Sequence, residues 1–541
     1  MKKVNYLFLC LMISFVSEVQ GQNIKISNGS QFKVTSLESI ENTLHIGRSH
    51  SSFLTKAGLL GRKFRVLNLD ENLDIKSKFE IEIPKIEKKK VRYEWSNTVD
   101  DKVYFLSNYF DRKANSYTLF ASELEVSTGK FNKHFEVLKV VDDKFKSGLS
   151  PFKMVRSVDS TKILIITEYP TKNRENARYG LTVVKKNLGK IWEKDIEFPE
   201  RDKDFSLIDY EVDMDGNIHF VASIRMSRDE KKEKDAKSRY YSKVYSYYHA
   251  ESELKEHEIS FQDLIIDNLD LDVNDKNELL GTGFYSEKFM STGYKGFFFL
   301  KIDPTTKTIA AKNVSEFSPD LIKQLYNNKR QGERKAKKGK FPPYIIRASI
   351  ALKNGGYAVV AEHYVYTISQ TTSANGNTQT RESWLFGNVV VMFLNGDGKM
   401  ETASVLKKRQ YCTAVNGASS LLQQLGISPV PGINELAYYG ISVLQNNSNI
   451  YVLYNENPKN EARVQEGKTP KSVRQRTSVT MLNTFKPDGK INGDVLFKSK
   501  DRSAGIKMPL MPRSYIQYAN NEAIVFGRLG KKMRATRISI D

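Results

Sequence analysis

The stretch Asp215-Gly216-Asn217-Ile218-His219-Phe220-Val221 decides how the chain is read: a tight polar turn runs straight into an apolar strand. Asp, Gly and Asn tolerate the backbone a sharp reversal needs, and the aliphatic and aromatic residues after them suit a strand. The same unit stands at Glu41-Asn42 before Thr43-Leu44, at Asp100-Asp101 before Val103-Tyr104, and at Asp159-Ser160 before Ile163-Leu164. It returns at Asp275-Lys276-Asn277 before Leu279-Leu280 and at Asn354-Gly355-Gly356 before Tyr357-Ala358. The last two copies are Asn446-Asn447 before Ile450-Tyr451 and Asn520-Asn521 before Ala523-Ile524. The first five turns are spaced by roughly 55 to 60 residues, and the later ones are driven further apart by insertions.

Between these hairpins lies a second kind whose turn often ends in Gly-Lys. Clear copies are Ser127-Thr128-Gly129-Lys130, Asn187-Leu188-Gly189-Lys190, Asp397-Gly398-Lys399 and Asp488-Gly489-Lys490; weaker ones fall at Asp70 to Asp74, Ala250 to Leu254 and Asp303 to Lys307. Two hairpins per period make four antiparallel strands per period, the content of one propeller blade. Eight hairpins of the first kind against seven of the second leave the last sheet one strand short, since only Ala535 to Ile540 follows the eighth. The short strand Asn23 to Ser27 is available to complete it, which closes a ring and covers an exposed edge. The expectation is an all-β, eight-bladed β-propeller closed by its N- and C-terminal strands, with seven blades as the near alternative. Two tandem β-sandwiches would explain the strands but not their spacing.

Composition sets the class of partner. The chain has 541 residues, with Lys+Arg 84 against Asp+Glu 63 for a net charge of +21, and 40% hydrophobic residues. That excludes a disordered chain and favours acidic partners. Two cysteines exclude a disulfide scaffold and a Cys-rich metal module. Met1-Lys2-Lys3, the apolar run Leu7 to Val16 and Val19-Gln20-Gly21 have the organisation of a signal peptide over residues 1–21. Residues 22–541 are then expected to form one exported domain in the periplasm or at the cell surface, monomeric outside a complex and without a spanning segment. Cys412 would be its single cysteine, because Cys10 leaves with the leader.

Three insertions interrupt the β pattern, near 228–239, 318–343 and 367–382. Arg228 to Arg239 is a charged loop of mixed sign, and Thr371 to Thr380, rich in Ser, Thr, Asn and Gly, reads as a flexible tip. Ser318-Pro319-Asp320 has the composition of a helix start, and Leu321, Ile322, Leu325 and Tyr326 fall on one helical face. The basic run that follows holds Lys329, Arg330, Arg334, Lys335, Lys337, Lys338 and Lys340, and is the candidate binding site for an anionic partner. An envelope protein, an anionic glycan or a lipid head group fits that charge. Nucleic acid does not, because no aromatic interleaving accompanies the lysines. The competing reading of the run is a solvated, mobile loop.

No catalytic residue and no cofactor is assigned. Gly417-Ala418-Ser419-Ser420 lacks the final Gly of a nucleophile elbow and reads as a short helix start. Asp270, Asp272 and Asn274 have the spacing of a calcium loop but carry Asp275 where Gly is needed and Gly281 where Glu is needed, so an acidic strand entering a hairpin is expected. Asp213 with Asp215-Gly216-Asn217 reads as a turn, and Glu362-His363 as strand residues. A glycosidase needs two carboxylates across a cleft, which residues on distant blades could supply without local spacing. Carboxylates converging at a channel mouth would therefore favour an envelope hydrolase, whereas aromatic and basic loops on one face would favour binding. Sialidase Asp boxes, the WD dipeptide and kelch double-glycine motifs are absent from the sequence.

Three stretches carry a resemblance. They are Asn354-Gly355-Gly356-Tyr357-Ala358-Val359-Val360-Ala361-Glu362-His363-Tyr364, then Gly398-Lys399 with Lys407-Lys408-Arg409-Gln410, then Tyr454-Asn455-Glu456-Asn457-Pro458-Lys459-Asn460. The C-terminal half resembles uncharacterised exported β-propeller-like proteins of Gram-negative bacteria. That resemblance implies an envelope-associated propeller and brings no activity or catalytic residue with it. The favoured function is a non-enzymatic binding or scaffold protein that uses loops on a propeller face, and the alternative is an envelope hydrolase with a central-channel site.

Overall fold

The computed structural model describes residues 24–35, 38–46, 49–57, 63–86, 88–99, 102–171, 175–229, 240–259, 264–286, 293–372, 378–415, 436–474, 477–497 and 508–540. Residues 1–23, on which the expected signal peptide falls, most of the 228–239 insertion and the Gly417–Ser420 stretch lie outside them.

Alternation of apolar and polar residues around tight turns produces seven antiparallel sheets in which four consecutive strands pair in chain order. They span Ser39–Ile81, Arg92–Val141, Phe152–Arg201, Phe205–His257, Ile265–Glu316, Tyr344–Leu406 and Ser442–Phe497, and are called here the first to seventh sheets. The eighth contains Leu510–Ala519, Glu522–Leu529 and Lys532–Ile540, and its fourth strand is Ile24–Asn28 from the other end of the chain. That strand pairs antiparallel with the last one in the register Ile24↔Ile540, Lys25↔Ser539, Ile26↔Ile538. Closure by the two ends is therefore met in the strands expected.

Each sheet buries both faces against its neighbours, so its middle strands are apolar on both sides; Ile163, Leu164, Ile165 and Ile166 are all fully buried. One apolar cluster fills each gap around the ring. Leu54 and Val66 meet Phe105 between the first and second sheets, and Phe53 and Leu67 meet Phe526 between the first and eighth. The other six gaps are filled in the same way. Neighbouring sheets also touch through their first strands, including Phe205–Val212 with Ile265–Val273 and Ser39–Ile46 with Leu510–Ala519. Radial sheets come closest at the centre, so the first strands lie innermost. The architecture is an eight-bladed β-propeller.

Antiparallel order has one consequence that positions function. Turns joining strands one to two and three to four must emerge on one face of the ring, and connections from two to three and from four to the next sheet on the other. The Asn, Asp and Gly turns counted in the sequence belong to the first set, with one correction: Glu41-Asn42 lies inside the strand Ser39–Ile46, where Asn42 pairs with Leu54, and the first reversal of that sheet falls between Ile46 and His50. At the 213–217 turn, Asp213 Oδ1 accepts from the N–H groups of Asp215 at 2.9 Å and Asn217 at 2.7 Å, and Gly216 supplies φ +90°. Gly398 sits at φ +78° against the Phe299 ring, where a Cβ would lie 1.8 Å from a ring carbon. All three insertions belong to the second set, and so does the long connection between Glu456 and Val479. One face of the ring is trimmed to tight turns; the opposite face carries the added chain.

The insertions take definite forms. Residues 318–343 build two helices, Pro319–Leu325 and Lys329–Ala336. Ser318 Oγ caps the first by accepting from Leu321 N at 3.2 Å, and Leu321, Ile322 and Leu325 anchor it in the cluster between the fifth and sixth sheets. Of the flexible tip expected over Thr371–Thr380, residues 373–377 lie outside the described residues, and its two flanks are strand, as far as Thr372 and again from Thr378. Strands of 16 and 17 residues extend the sixth sheet into an arm, and Gln410–Val415 pairs along the arm's edge. Thr and Ser side chains satisfy an extended backbone as readily as a loop, which is why composition alone misled here.

Candidate functional site

Between the sixth and seventh sheets the inter-sheet contact opens on the insertion face into a cleft of 1920 Å³. One wall is the outer half of the seventh sheet, where Val479, Met481 and Asn483 of one strand lie beside Val495, Gly493 and Ile491 of the next. Period two puts these six residues on one sheet face. Ile491 and Val495 are exposed. The facing wall is Val405, Leu406 and Lys407 at the end of the sixth sheet. Lys459, Lys471 and Arg474 of the Glu456–Val479 connection make a basic rim, and Tyr411, Tyr438 and Tyr439 complete the lining.

Behind the lining, a buried polar network joins the three stretches singled out in the sequence. Glu362 and Lys408, both 0% exposed, pair at 2.6 Å, and Arg347 Nε reaches the other Glu362 oxygen at 2.8 Å. Burial alone would raise the Glu362 carboxyl, but the Lys408 and Arg347 charges overcome it and hold the group below the usual range. Lys408 Nζ also donates to Gln410 Oε1 at 3.1 Å, and Gln410 Nε2 donates to the Asn455 carbonyl at 2.8 Å. Asn455 and Thr480 are tied at 3.1 Å. One residue on, Glu456 lines the cleft, and its Oε1 accepts from Asn457 N at 2.7 Å and Asn460 Nδ2 at 2.6 Å. Burial pushes Glu456 up to about 7, despite those donors and Lys408. Burial also brings Lys407 down to about 8, with its Nζ donating to the carbonyls of Gln324 and Tyr326.

The basic run of the sequence lies on the same face, on the neighbouring insertion. Lys329, Arg330, Arg334 and Lys335 lie on the second helix, and Lys337, Lys338 and Lys340 follow it. Gly332 and Ala336 face inward; Lys329, Arg330, Arg334, Lys337 and Lys338 are exposed, and Lys335 and Lys340 are half-buried. None of these residues lines the cleft; the segment before the helix meets the cleft wall through Lys407, which donates to the Gln324 and Tyr326 carbonyls, and Asn327 Nδ2 donates to the Lys408 carbonyl at 3.3 Å. The run is thus an anchored helix rather than a loose loop. Glu362 and His363 are strand residues as expected; His363 stacks on Tyr344. The buried Lys408 partner escaped the sequence reading, because it lies 46 residues away.

A second polar group borders the centre of the ring near the tight-turn face. Asp209 and Glu211 on the first strand of the fourth sheet face Asp270 and Asp272 on the first strand of the fifth. Asp209 is held by the N–H groups of Leu271 at 2.8 Å and Tyr210 at 2.9 Å. Burial, then the neighbouring carboxylates, push Glu211 up to about 8 and Asp270 to about 7. Burial pushes Asp272 up to about 6 against a Val273 N–H bond. Asp270 and Asp272 do lie on an acidic strand entering a hairpin.

An Asp-His-Ser arrangement is present but sealed. His219 lies 3.5 Å from Asp213 and 2.7 Å from Ser246 Oγ, which also bonds His257 at 2.9 Å. All four side chains are buried, with Ser246 at 0% exposure, so no substrate can reach the hydroxyl and the relay braces the fourth sheet.

No protein-family model and no curated protein matches the chain. Solved structures do. The WD40 domain of SCAP from fission yeast matches with 7% identity and TM-score 0.36 over 96% of this chain and 94% of that one. The Dos1 propeller matches with 8% identity and TM-score 0.40 over 94% of each chain. The β-propeller domain of the Trilobed protease from Pyrococcus furiosus matches with 10% identity and TM-score 0.32 over 70% of this chain and 93% of that one. The blade count and the closure rest on the sheets and clusters described above.

Proposed function

We propose that the protein is a non-enzymatic binding or scaffold propeller of the cell envelope that holds an acidic protein or glycan partner on its insertion face. One observation carries this reading: every large insertion emerges on one face, and that face carries both the basic helix of the 318–343 insertion and the cleft whose basic rim comes from the Glu456–Val479 connection. A rigid ring displaying loops on one side is a common way to position a binding surface. The envelope location rests on the leader-like residues 1–21 and on the resemblance of the C-terminal half. Immobilised protein should retain poly-glutamate and heparin, as acidic polypeptide and glycan probes, more strongly at low salt than at high salt. Removing Lys459, Lys471 and Arg474 should weaken that retention; equal retention by the wild type and this variant at both salts would retire the reading.

An envelope hydrolase is the second reading, and the convergence of Asp209, Glu211, Asp270 and Asp272 at the ring centre favours it. Carboxyls held near neutrality suit general acid–base work. Turnover of glycan or peptide substrates that Glu211→Gln abolishes would establish it, and a blank screen would remove it.

A further inference from the structure

Asn483 is the unusual group in the cleft. Its side chain is buried, its carboxamide oxygen has no hydrogen-bond partner among the described residues, and it lines the cleft wall. Buried polar groups of folded chains are nearly always satisfied, and an unpaired one on a side chain that lines a cavity points to a ligand that a turn of the carboxamide toward the cleft would meet. Directly across the strand pair stands Gly493, where a Cβ would lie 2.9 Å from Asn483 Oδ1. Only a residue without a side chain leaves the carboxamide its place.

The surroundings select the ligand. A carboxamide offers one acceptor and an N–H₂ donor, the complement of a main-chain amide. On either side of Asn483 the wall is aliphatic, with Val479, Met481, Ile491 and Val495, and Tyr454 stands opposite Met481. The alternating side chains of an extended strand match a wall of period two. The Val479 end of the wall opens toward Glu456 and the connection bearing Lys459, Lys471 and Arg474.

We propose that this cleft binds an extended peptide segment, apolar at alternate positions and acidic toward the basic rim, and that Asn483 reads its main chain by a paired amide contact. The inference rests on the binding reading above and narrows its partner to polypeptide. Gly493 is then a specificity residue, since it keeps the reading group in place.

The test uses the full chain and three fluorescent probes: an alternating Glu-Leu octapeptide, the same peptide N-methylated along its backbone, and a heparin fragment. Wild type should bind the plain peptide about tenfold more tightly than the N-methylated one, the loss expected for one good hydrogen-bonded contact. Asn483→Leu and Gly493→Val should each weaken the plain peptide about tenfold and erase the discrimination. Asn483→Ser serves as a milder variant, with unchanged melting curves as the folding control. Peptide binding that ignores both positions, or fails to distinguish the two peptides, overturns the inference. If Lys459→Ala, Lys471→Ala and Arg474→Ala together weaken every acidic probe while Asn483→Leu changes none, the binding reading stands and the peptide assignment falls. If no probe binds the wild type, both fall.

Discussion

The two faces of the ring are made by opposite strategies. On the turn face each reversal is local, with Asp213 bonding the N–H groups of residues two and four positions on. On the insertion face the decisive bonds join distant segments, as when Lys408 meets Glu362 or Asn455 carries Gln410. Local turns fold a strand pair whatever the rest of the chain does; the insertion face exists only once the sixth and seventh sheets have docked. The difference teaches that the first face builds the scaffold, and that the second is where residues of separate blades can be brought to one ligand.

The largest expected effect tests whether the insertion face depends on its buried charges. Glu362→Gln leaves Lys408 buried with only neutral partners and Arg347 without its carboxylate, and should cost about 3–5 kcal/mol in denaturant-unfolding stability. A loss under about 1 kcal/mol would mean that the network is not a structural keystone. On the turn face, Gly355→Ala acts on a single reversal: the backbone is at φ +82° with open space around it, so the cost should be about 1 kcal/mol, the strain of a left-handed non-glycine residue.

Titration separates the faces further. His257 and His363 are both brought down to about 4, with burial as the main cause. A base whose folded value is depressed favours the neutral form in the fold, so its contribution is complete above about 6.5 and is lost as pH falls toward 4. The Glu211, Asp270 and Asp272 carboxyls are raised, so theirs is complete below the unfolded carboxyl range and is lost as pH rises through about 6 to 8. The stability of Glu211→Gln relative to wild type should therefore increase between pH 6 and 9, as followed by melting temperature. A constant difference across that range would show that the Glu211 carboxyl is not raised in the folded protein.

The smallest effect concerns the basic helix. Replacing Lys335, Lys337 and Lys338 by Ala should change stability by no more than about 0.5 kcal/mol. The same variant should weaken retention on acidic probes several-fold at low ionic strength and hardly at all at high.

What was legible in the sequence follows the same division. The turn face could be read, because Asp, Asn and Gly at a reversal act within a few residues; seven of the eight first hairpins and the missing eighth-sheet strand came from them, while Glu41-Asn42 has the composition of a turn but lies inside the strand Ser39–Ile46. The helix start at Ser318-Pro319 and its apolar face could be read for the same reason. The cleft could not. Glu362, Lys408 and Asn455 were noticed as parts of familiar stretches, yet nothing in their spacing says that they meet. Asn483 and Gly493 drew no notice, because an Asn opposite a Gly becomes informative only when strand register and burial are known. The arm over Tyr364–Phe386 escaped because its Ser- and Thr-rich tip has the composition of a loop.

Everything on the insertion face presupposes that the ring is shut by its two ends. The most direct measurement pairs Lys25→Cys with Ser539→Cys, opposite each other in the closing strands. Under mild oxidation the purified double variant should form this one crosslink, seen by peptide mass spectrometry, and melt at a higher temperature than its reduced form. A double variant that folds but never crosslinks, or links only between molecules, would contradict a closed eight-bladed ring.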